Sequence, residues 1–151
     1  MIKHGQKLPA DCLEKLPGVV EAISSDPEVN AFFSYGSLAS NKMKPLSDLD
    51  FGVLFYDRFD KYERFKKQSR LLNLMIDRLG TEEVDLVAMN DAPIRFSYNI
   101  VQTGKLLFCK KSGELTDFIE DVVQKYLDYS VFRKRADDIF LKGIGYYGWA
   151  D

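Results

Sequence analysis

Residues 34–55 read SYGSLASNKMKPLSDLDFGVLF, and they place Asp48 and Asp50 at the opening of an apolar run. The run from Phe51 to Tyr56 is apolar enough to predict a strand that is buried on both faces. Because alternate residues of a strand point to the same side, the two carboxylates are expected to project together from one end of it. Carboxylates beside a core are costly unless something pairs with them. The stretch therefore predicts a buried strand whose charges need a partner.

Strand and helix patterns alternate along the rest of the chain, which indicates an α/β (α+β) fold. Between them lie turn residues, and the sequence has no internal repeat, low-complexity segment or interior linker. A helix from about Asp11 to Ser24 is expected to be weakened or broken by Pro17-Gly18. The other predicted elements are the strands Val29–Tyr35, Glu83–Met89 and Lys105–Cys109 and the helices Phe59–Leu79, Pro93–Gln102 and Glu114 to about Leu141.

Length and composition indicate a single globular domain, which we expect to span residues 1–151. The net charge of −2 and the isoelectric point near 5.5 give no general attraction to nucleic acid. No segment resembles a membrane span or the apolar core of a signal peptide, so we expect a cytoplasmic protein with no membrane partner. Cys12 and Cys109 lie far apart in the sequence and are expected to be reduced thiols.

Asp85 is the only other acid embedded in an apolar strand pattern. If its strand neighbours that of Asp48 and Asp50, three carboxylates converge, and they repel one another unless a divalent cation neutralises them. Two Mg²⁺ ions about 3.5 to 4 Å apart are the usual device for phosphoryl or nucleotidyl transfer. Gly36-Ser37 completes the pattern, because glycine lets the backbone approach a ligand and serine offers a hydroxyl and N–H groups to a phosphate.

This combination resembles the signature of a known family. Gly36-Ser37, ten residues and then Asp48-Leu49-Asp50 are similar to the motif of the minimal nucleotidyltransferases in the DNA polymerase β superfamily. Val84-Asp85-Leu86 matches their third carboxylate, and the spacing and small size are most similar to MntA-type antitoxins. The resemblance covers about Val29 to Cys109. It implies a nucleotidyltransferase fold, with a mixed sheet of about four strands, flanking helices and a long C-terminal helix.

The resemblance also implies an activity. MntA-like members bind ATP and magnesium and transfer AMP to a tyrosine of a cognate HEPN-domain RNase toxin, which silences the toxin. Carried over by position, Asp48 and Asp50 would bind the metals, and two Mg²⁺ ions are implied. Gly36 and Ser37 would hold the triphosphate of ATP, and Asp85 would be a metal ligand or the base for the incoming hydroxyl. Nucleic acid is not expected as a partner of this chain alone.

Two other functions stay open at this point. A nucleotidyltransferase for a small molecule, of the aminoglycoside-modifying sort, would need acidic residues from a further domain or a second copy to bind a cationic acceptor. A non-catalytic antitoxin would inhibit by binding alone, but it would gain nothing from retaining Asp48, Asp50, Asp85 and Ser37 together. The small size of the chain favours a bulky protein acceptor, because such a partner can supply its own binding surface.

Two C-terminal segments have alternative interpretations. Arg133, Lys134 and Arg135 form a basic triplet, but the aspartates around it favour an ordinary charged helix surface over contact with RNA or an acidic partner. Residues 143–151 place aromatic side chains among glycines. We interpret this tail as a segment that folds back over the core, with docking on a partner as the alternative.

Overall fold

The computed structural model describes residues 11–36, 38–39 and 48–145 of the chain. Within these ranges, a short 3₁₀ turn at Leu13–Lys15 is followed by four α-helices and four strands. In chain order they are α1 (Leu16–Ser24), β1 (Val29–Tyr35), β2 (Leu49–Phe55), α2 (Lys61–Leu79), β3 (Val84–Ala88), α3 (Ile94–Thr103), β4 (Lys105–Cys109) and α4 (Ser112–Gly143). The predicted alternation of strands and helices and the long C-terminal helix are confirmed.

The strands form one mixed sheet in the order β3-β2-β1-β4. β1 is antiparallel to both of its neighbours, whereas β2 and β3 run parallel. β1 and β2 occupy the two central places, where a strand is covered on both faces, and this explains their continuous apolar character. The mixed sheet of four strands is therefore as predicted.

Helices cover both faces of the sheet. On one face, strand side chains such as Phe32 and Phe51, whose stacked rings have centroids 5.2 Å apart, pack with α1 and α2. On the other face, Leu54 packs with Ile100 of α3 and with the first half of α4. Since side chains alternate along a strand, Asp50 lies on the same face as Leu54.

Pro17 lies in the first turn of α1 rather than in the middle of a longer helix, because residues 13–15 form a separate 3₁₀ turn and the predicted start near Asp11 is wrong. The helix starts at Leu16, and Pro17 occupies its first turn. A backbone N–H in the first turn has no partner within the helix, so its absence in proline costs no hydrogen bond there. Val19 and Ile23 then form the buried stripe of the helix.

β2 begins two residues earlier than predicted, at Leu49 rather than Phe51. The N–H of Leu49 donates to the carbonyl of Glu83 at 3.0 Å, which extends the parallel pairing toward the start of β3. Asp50 is therefore a residue of the sheet, and its side-chain direction is fixed by the strand pairing on both sides.

α2 buries a narrower apolar stripe than the sequence predicts, since helical spacing there predicts one apolar face formed by Phe59, Tyr62, Phe65, Leu72, Ile76 and Leu79. Leu71, Met75 and Leu79 are buried, whereas Tyr62 and Phe65 are 66% and 63% exposed. Met75 and Leu79 follow Leu71 at intervals of four residues, while Tyr62 lies about half a turn away around the helix. The predicted inclusion of Tyr62 and Phe65 in the buried face is therefore wrong.

The lysines and arginines that alternate with acids along α2 predict a solvated helix face, but two of these basic side chains are ion-paired. The guanidinium of Arg64 donates to both carboxylate oxygens of Asp91, at 2.8 and 2.7 Å. The ammonium of Lys67 pairs with Glu28 in the turn before β1. These pairs tie the outer side of α2 to the turns that flank the sheet.

Gly104 lies where α3 ends against β1. A Cβ atom at this position would lie 2.4 Å from the Ile100 carbonyl oxygen and 2.9 Å from that of Ser34, and backbone atoms cannot rotate away. We expect Gly104→Ala to lower the free energy of unfolding by about 2 kcal/mol or more in urea titrations. Gly113→Ala is the control, because nothing lies within 4 Å of its Cβ position. Equal stability of the two variants would contradict this packing.

None of the helices in the described ranges is both long enough and apolar enough to cross a membrane. Cys12 is buried and Cys109 is half-buried, and both are free thiols, as predicted. Residues 40–47 and 146–151 lie outside the described residues, so the structure does not test whether the C-terminal tail folds back over the core or docks on a partner.

Candidate active site

Three polar side chains lie in one row across the sheet. Asp50 of β2 pairs with Asp85 of β3 on one side and with Tyr35 of β1 on the other. Residues paired in this way point to the same face of a sheet, on strands about 4.8 Å apart. β1 ends at this row and β2 and β3 begin beside it, so the row lies where these strands end or begin. We call this end of the strands the edge of the sheet. The expected proximity of Asp85 to Asp50 is present.

Gly36 lies directly against the Asp50 carboxylate. It follows β1 with a φ of 68°, in the left-handed region that glycine adopts at little cost. A Cβ atom at this position would lie 2.8 Å from Oδ2 of Asp50. The turn can therefore approach the carboxylate only because residue 36 has no side chain. Ser37, the other predicted phosphate ligand, lies outside the described residues.

Asp48 and Glu83 each lie two residues before Asp50 and Asp85, at the start of the two parallel strands. Asp48 is half-buried and directly precedes β2, and the N–H of the next residue, Leu49, donates to the carbonyl of Glu83. Glu83 is only 2% exposed. In the sequence, Glu83 is merely the first residue of a predicted strand. Its two-residue spacing from Asp85, which repeats the spacing of Asp48 and Asp50, is the signal that places it at this edge.

Tyr35 is a residue of this row that the sequence analysis missed. It is 8% exposed, and Phe96 of α3 packs edge-on against it with ring centroids 5.7 Å apart. Burial raises the pKa of the Tyr35 hydroxyl well above its ordinary value, and the negative charges of Asp50 and Asp85 raise it further. The hydroxyl therefore stays protonated at neutral pH and is available as a hydrogen-bond donor near two carboxylates.

We expect Tyr35→Phe to change how stability depends on alkaline pH. The pKa of Tyr35 is higher in the folded protein than in the unfolded chain, where it is about 10, so the unfolded chain loses this proton first. The stabilisation is complete below about pH 10 and is lost as the pH rises toward the folded-state pKa. In urea titrations from about pH 8 to 10.5, the variant should lose less stability than the wild type.

Tyr62→Phe is the control for this titration, because Tyr62 is 66% exposed on α2. Its loss of stability with pH should follow that of the wild type. If Tyr35→Phe also followed the wild type throughout, the hydroxyl of Tyr35 would not lie in the surroundings described above.

The carboxylates at this edge suit a hard divalent cation. Asp50 and Asp85 face each other across neighbouring strands, where two negative charges repel unless a cation or a proton lies nearby. Among the described residues, no group of three or more His, Cys, Asp or Glu side chains is arranged to hold a metal ion by itself. Mg²⁺, however, is usually held by one or two carboxylates, with water and substrate phosphates completing its ligands. The facing pair fits that mode of binding.

The sequence matches a family of known proteins. Residues 18–113 match the family described as polymerase beta, nucleotidyltransferase. The matched segment contains all four strands and the row of Tyr35, Asp50 and Asp85. Comparison with curated proteins gave no match.

Solved structures share the fold. A chain of a toxin–antitoxin complex with AMP-PNP has a TM-score of 0.64 at 21% identity, over 85% of this chain and 97% of its own length. A chain of an MntA–HepT complex that carries two aspartate-to-glutamate mutations, two residues apart, has a TM-score of 0.61 at 20% identity, over 85% of this chain and 97% of its own length. A chain from the complex of a tri-AMPylated Shewanella oneidensis HEPN toxin with MNT antitoxin has a TM-score of 0.62 at 19% identity, over 86% of this chain and 98% of its own length. At these identities the likeness is one of fold.

Proposed function

The chain belongs to the polymerase β nucleotidyltransferase family, and we propose that it is an ATP- and Mg²⁺-dependent adenylyltransferase that silences a HEPN-domain toxin by transferring AMP to one of its tyrosines. The observation that carries this proposal is the register that sets Asp50 against Asp85 beside the Gly36 turn. The likeness to chains from complexes with AMP-PNP and with a tri-AMPylated HEPN toxin supports it.

Each site residue that the sequence predicts has a role in this proposal. Asp48 and Asp50 hold Mg²⁺, with two ions in the full site. The backbone of Gly36 and the hydroxyl of Ser37 hold the triphosphate of ATP, and Asp85 is a further metal ligand or the base for the acceptor hydroxyl. Mg²⁺, when bound with ATP, neutralises negative charge on the phosphates and on the leaving pyrophosphate.

The transfer exchanges one phosphorus–oxygen bond for another. The acceptor oxygen forms a bond to the α-phosphorus of ATP. The bond between this phosphorus and the bridging oxygen of pyrophosphate breaks, and pyrophosphate leaves with the electron pair. In the base role, Asp85 accepts the proton of the acceptor hydroxyl. A tyrosine hydroxyl, with an ordinary pKa of about 10, needs such a base at neutral pH.

A protein acceptor fits the chain better than a small molecule does. The described residues form one sheet with its helices, and they contain no second sheet or helical lobe that would enclose a small acceptor at the carboxylate row. A macromolecular acceptor supplies that missing surface itself. In this proposal residues 1–151 act as one nucleotidyltransferase domain in the cytoplasm, where ATP, Mg²⁺ and the toxin are all present.

The test is to incubate the purified chain with ATP, Mg²⁺ and the protein encoded by the adjacent gene, and then to measure the intact mass of that protein. The proposal predicts a gain of one or more AMP groups with the wild type and none with Asp48→Ala plus Asp50→Ala. No gain with the wild type, or an equal gain with the double variant, would rule the proposal out. Inhibition of the toxin that survives the double substitution unchanged would favour an antitoxin that acts by binding alone.

A further inference from the structure

Only the first half of α4 packs on the domain. The helix has 32 residues and is therefore about 48 Å long. Leu115 and Val122 are buried, and the ring of Tyr126 stacks on Tyr98 of α3 with centroids 3.8 Å apart. From residue 127 to residue 140 every residue is exposed, and no other described part of the chain covers them. We call residues 127–143 the α4 overhang.

The α4 overhang carries an apolar stripe. Phe132 and Ile139 are 70% and 74% exposed, far more than large apolar residues of a packed helix. Tyr129 follows the buried Leu115 and Val122 at intervals of seven residues, so the stripe continues the face that α4 packs onto the sheet. At about 100° per residue, the charged side chains of the overhang all fall outside this stripe. The stripe consists of Tyr129, Phe132, Ala136, Ile139 and Phe140.

A cleft of about 550 Å³ lies between α3 and α4 where the overhang begins. Arg95, Phe96 and Tyr98 line it from α3, and Tyr126 lines it from α4. The apolar stripe starts one turn beyond Tyr126. The cleft and the stripe are therefore neighbouring parts of one surface, with aromatic and aliphatic groups along it.

Phe96 connects this surface to the candidate active site. It is 41% exposed and lines the cleft, and its ring packs against Tyr35, which pairs with Asp50 in the sheet. A macromolecule seated in the cleft is therefore separated from the carboxylate row by two aromatic side chains. The acceptor must bring a hydroxyl to that row, so the acceptor is the occupant that this location favours.

The charges beside the stripe indicate the chemistry of its occupant. Arg95 adds a positive charge within the cleft. One flanking arginine, Arg133, approaches Asp137 at 3.9 Å, but an exposed pair at this distance is worth little. A partner helix with acidic flanks complements such a border, as in coiled-coil pairing. When Tyr129 and Ala136 occupy the first heptad position, the fifth and seventh positions, which flank the stripe, hold the charged side chains Arg133, Arg135 and Lys142 and a single acid, Asp128.

A second copy of the chain is a poorer occupant. Self-pairing would bring the mainly basic flanks of two overhangs together, which is unfavourable. The stripe from Tyr129 to Phe140 also spans less than two heptads, whereas a self-supporting coiled coil needs about three to four.

We propose that the α4 overhang and the cleft beside it form the docking surface for the acceptor protein, and that they bind an amphipathic helix of that protein with acidic flanks. This inference rests on the proposed function, because the acceptor is the toxin of that proposal. It adds the surface that selects the acceptor and brings it to the row of Asp50 and Asp85.

The test compares two variants with equal changes in net charge. Phe132→Glu plus Ile139→Glu places two negative charges in the stripe, and Lys134→Glu makes the same change on the opposite side of the helix. We expect the double variant to weaken binding of the adjacent-gene protein by more than about 30-fold in calorimetric titrations, and Lys134→Glu to bind like the wild type. Binding of Mg-ATP, which reports a folded active site, should be equal in all three proteins.

The outcomes separate this inference from the proposed function. AMP transfer and binding by the double variant at wild-type levels would overturn the inference and leave the proposed function intact. Stripe-dependent binding without AMP transfer by the wild type would overturn the proposed function and keep the docking surface. A wild type that fails to bind the adjacent-gene protein would overturn the inference. A wild-type dimer that the double variant dissociates would overturn it as well, and would assign the stripe to a second copy of the chain.

Discussion

Asp50→Asn is expected to reduce AMP transfer by about 10³-fold or more while the protein stays folded. The amide keeps the size and shape of the side chain, so the pairing of β2 with β1 and β3 is retained. It removes the negative charge that, in our account, holds Mg²⁺ and orients the α-phosphate of ATP. The measurement is the initial rate of AMP transfer to the acceptor, with the melting temperature recorded on the same samples.

Asp77→Asn is the matched control, because it makes the same chemical change at an exposed position of α2. Its transfer rate should equal that of the wild type. A rate for Asp50→Asn within about tenfold of the wild type, with saturating ATP and Mg²⁺, would be inconsistent with a metal-holding role for this carboxylate.

Gly36→Ala is expected to reduce AMP transfer by about 10²-fold, the second-largest effect in this account. The new Cβ atom would lie 2.8 Å from Oδ2 of Asp50, so either the carboxylate or the turn must move. A displacement of about 1 Å at a reacting centre is enough for a loss of this size. The positive φ of 68° adds backbone strain, which lowers stability by about 1 kcal/mol.

Gly80→Ala separates the two effects of this substitution. Gly80 ends α2 with a φ of 71°, so alanine there meets the same backbone strain, but its nearest neighbour is Nζ of Lys15 at 3.8 Å. It should lose similar stability and keep the wild-type transfer rate. If Gly36→Ala and Gly80→Ala lost activity equally, backbone strain alone would account for the loss, and contact with Asp50 would have no part in it.

The sequence predicts the carboxylate pair well because its physical signal is local. An acid within an apolar strand is rare, and Asp50 and Asp85 each stand out in a strand pattern without knowledge of the sheet. Their direct pairing depends on the order β3-β2-β1-β4, which no local sequence pattern specifies. The chemical roles of the site residues remain predictions for all five of them: Gly36, Ser37, Asp48, Asp50 and Asp85.

Other features depend on tertiary contacts that no sequence period encodes. Tyr35 is an ordinary strand aromatic in the sequence, and only the pairing with β2 places it beside Asp50. Phe65 of α2 has helical spacing with the apolar residues that follow it, yet it lies beyond the stripe that the sheet covers. The stripe on α4 has the same period in its buried and exposed halves, so periodicity cannot show where the domain beneath it ends.

The most direct test of the central claim follows the phosphate that reaches the acceptor. The wild type, Mg²⁺ and the adjacent-gene protein are incubated with ATP that is radiolabelled on either the α- or the γ-phosphate. Nucleotidyl transfer at the row of Asp50 and Asp85 predicts that the α-label appears on the acceptor and that the γ-label leaves in pyrophosphate. With Asp50→Asn, neither labelled acceptor nor labelled pyrophosphate should form. A γ-label on the acceptor, or α-labelling that persists in Asp50→Asn, would contradict the account.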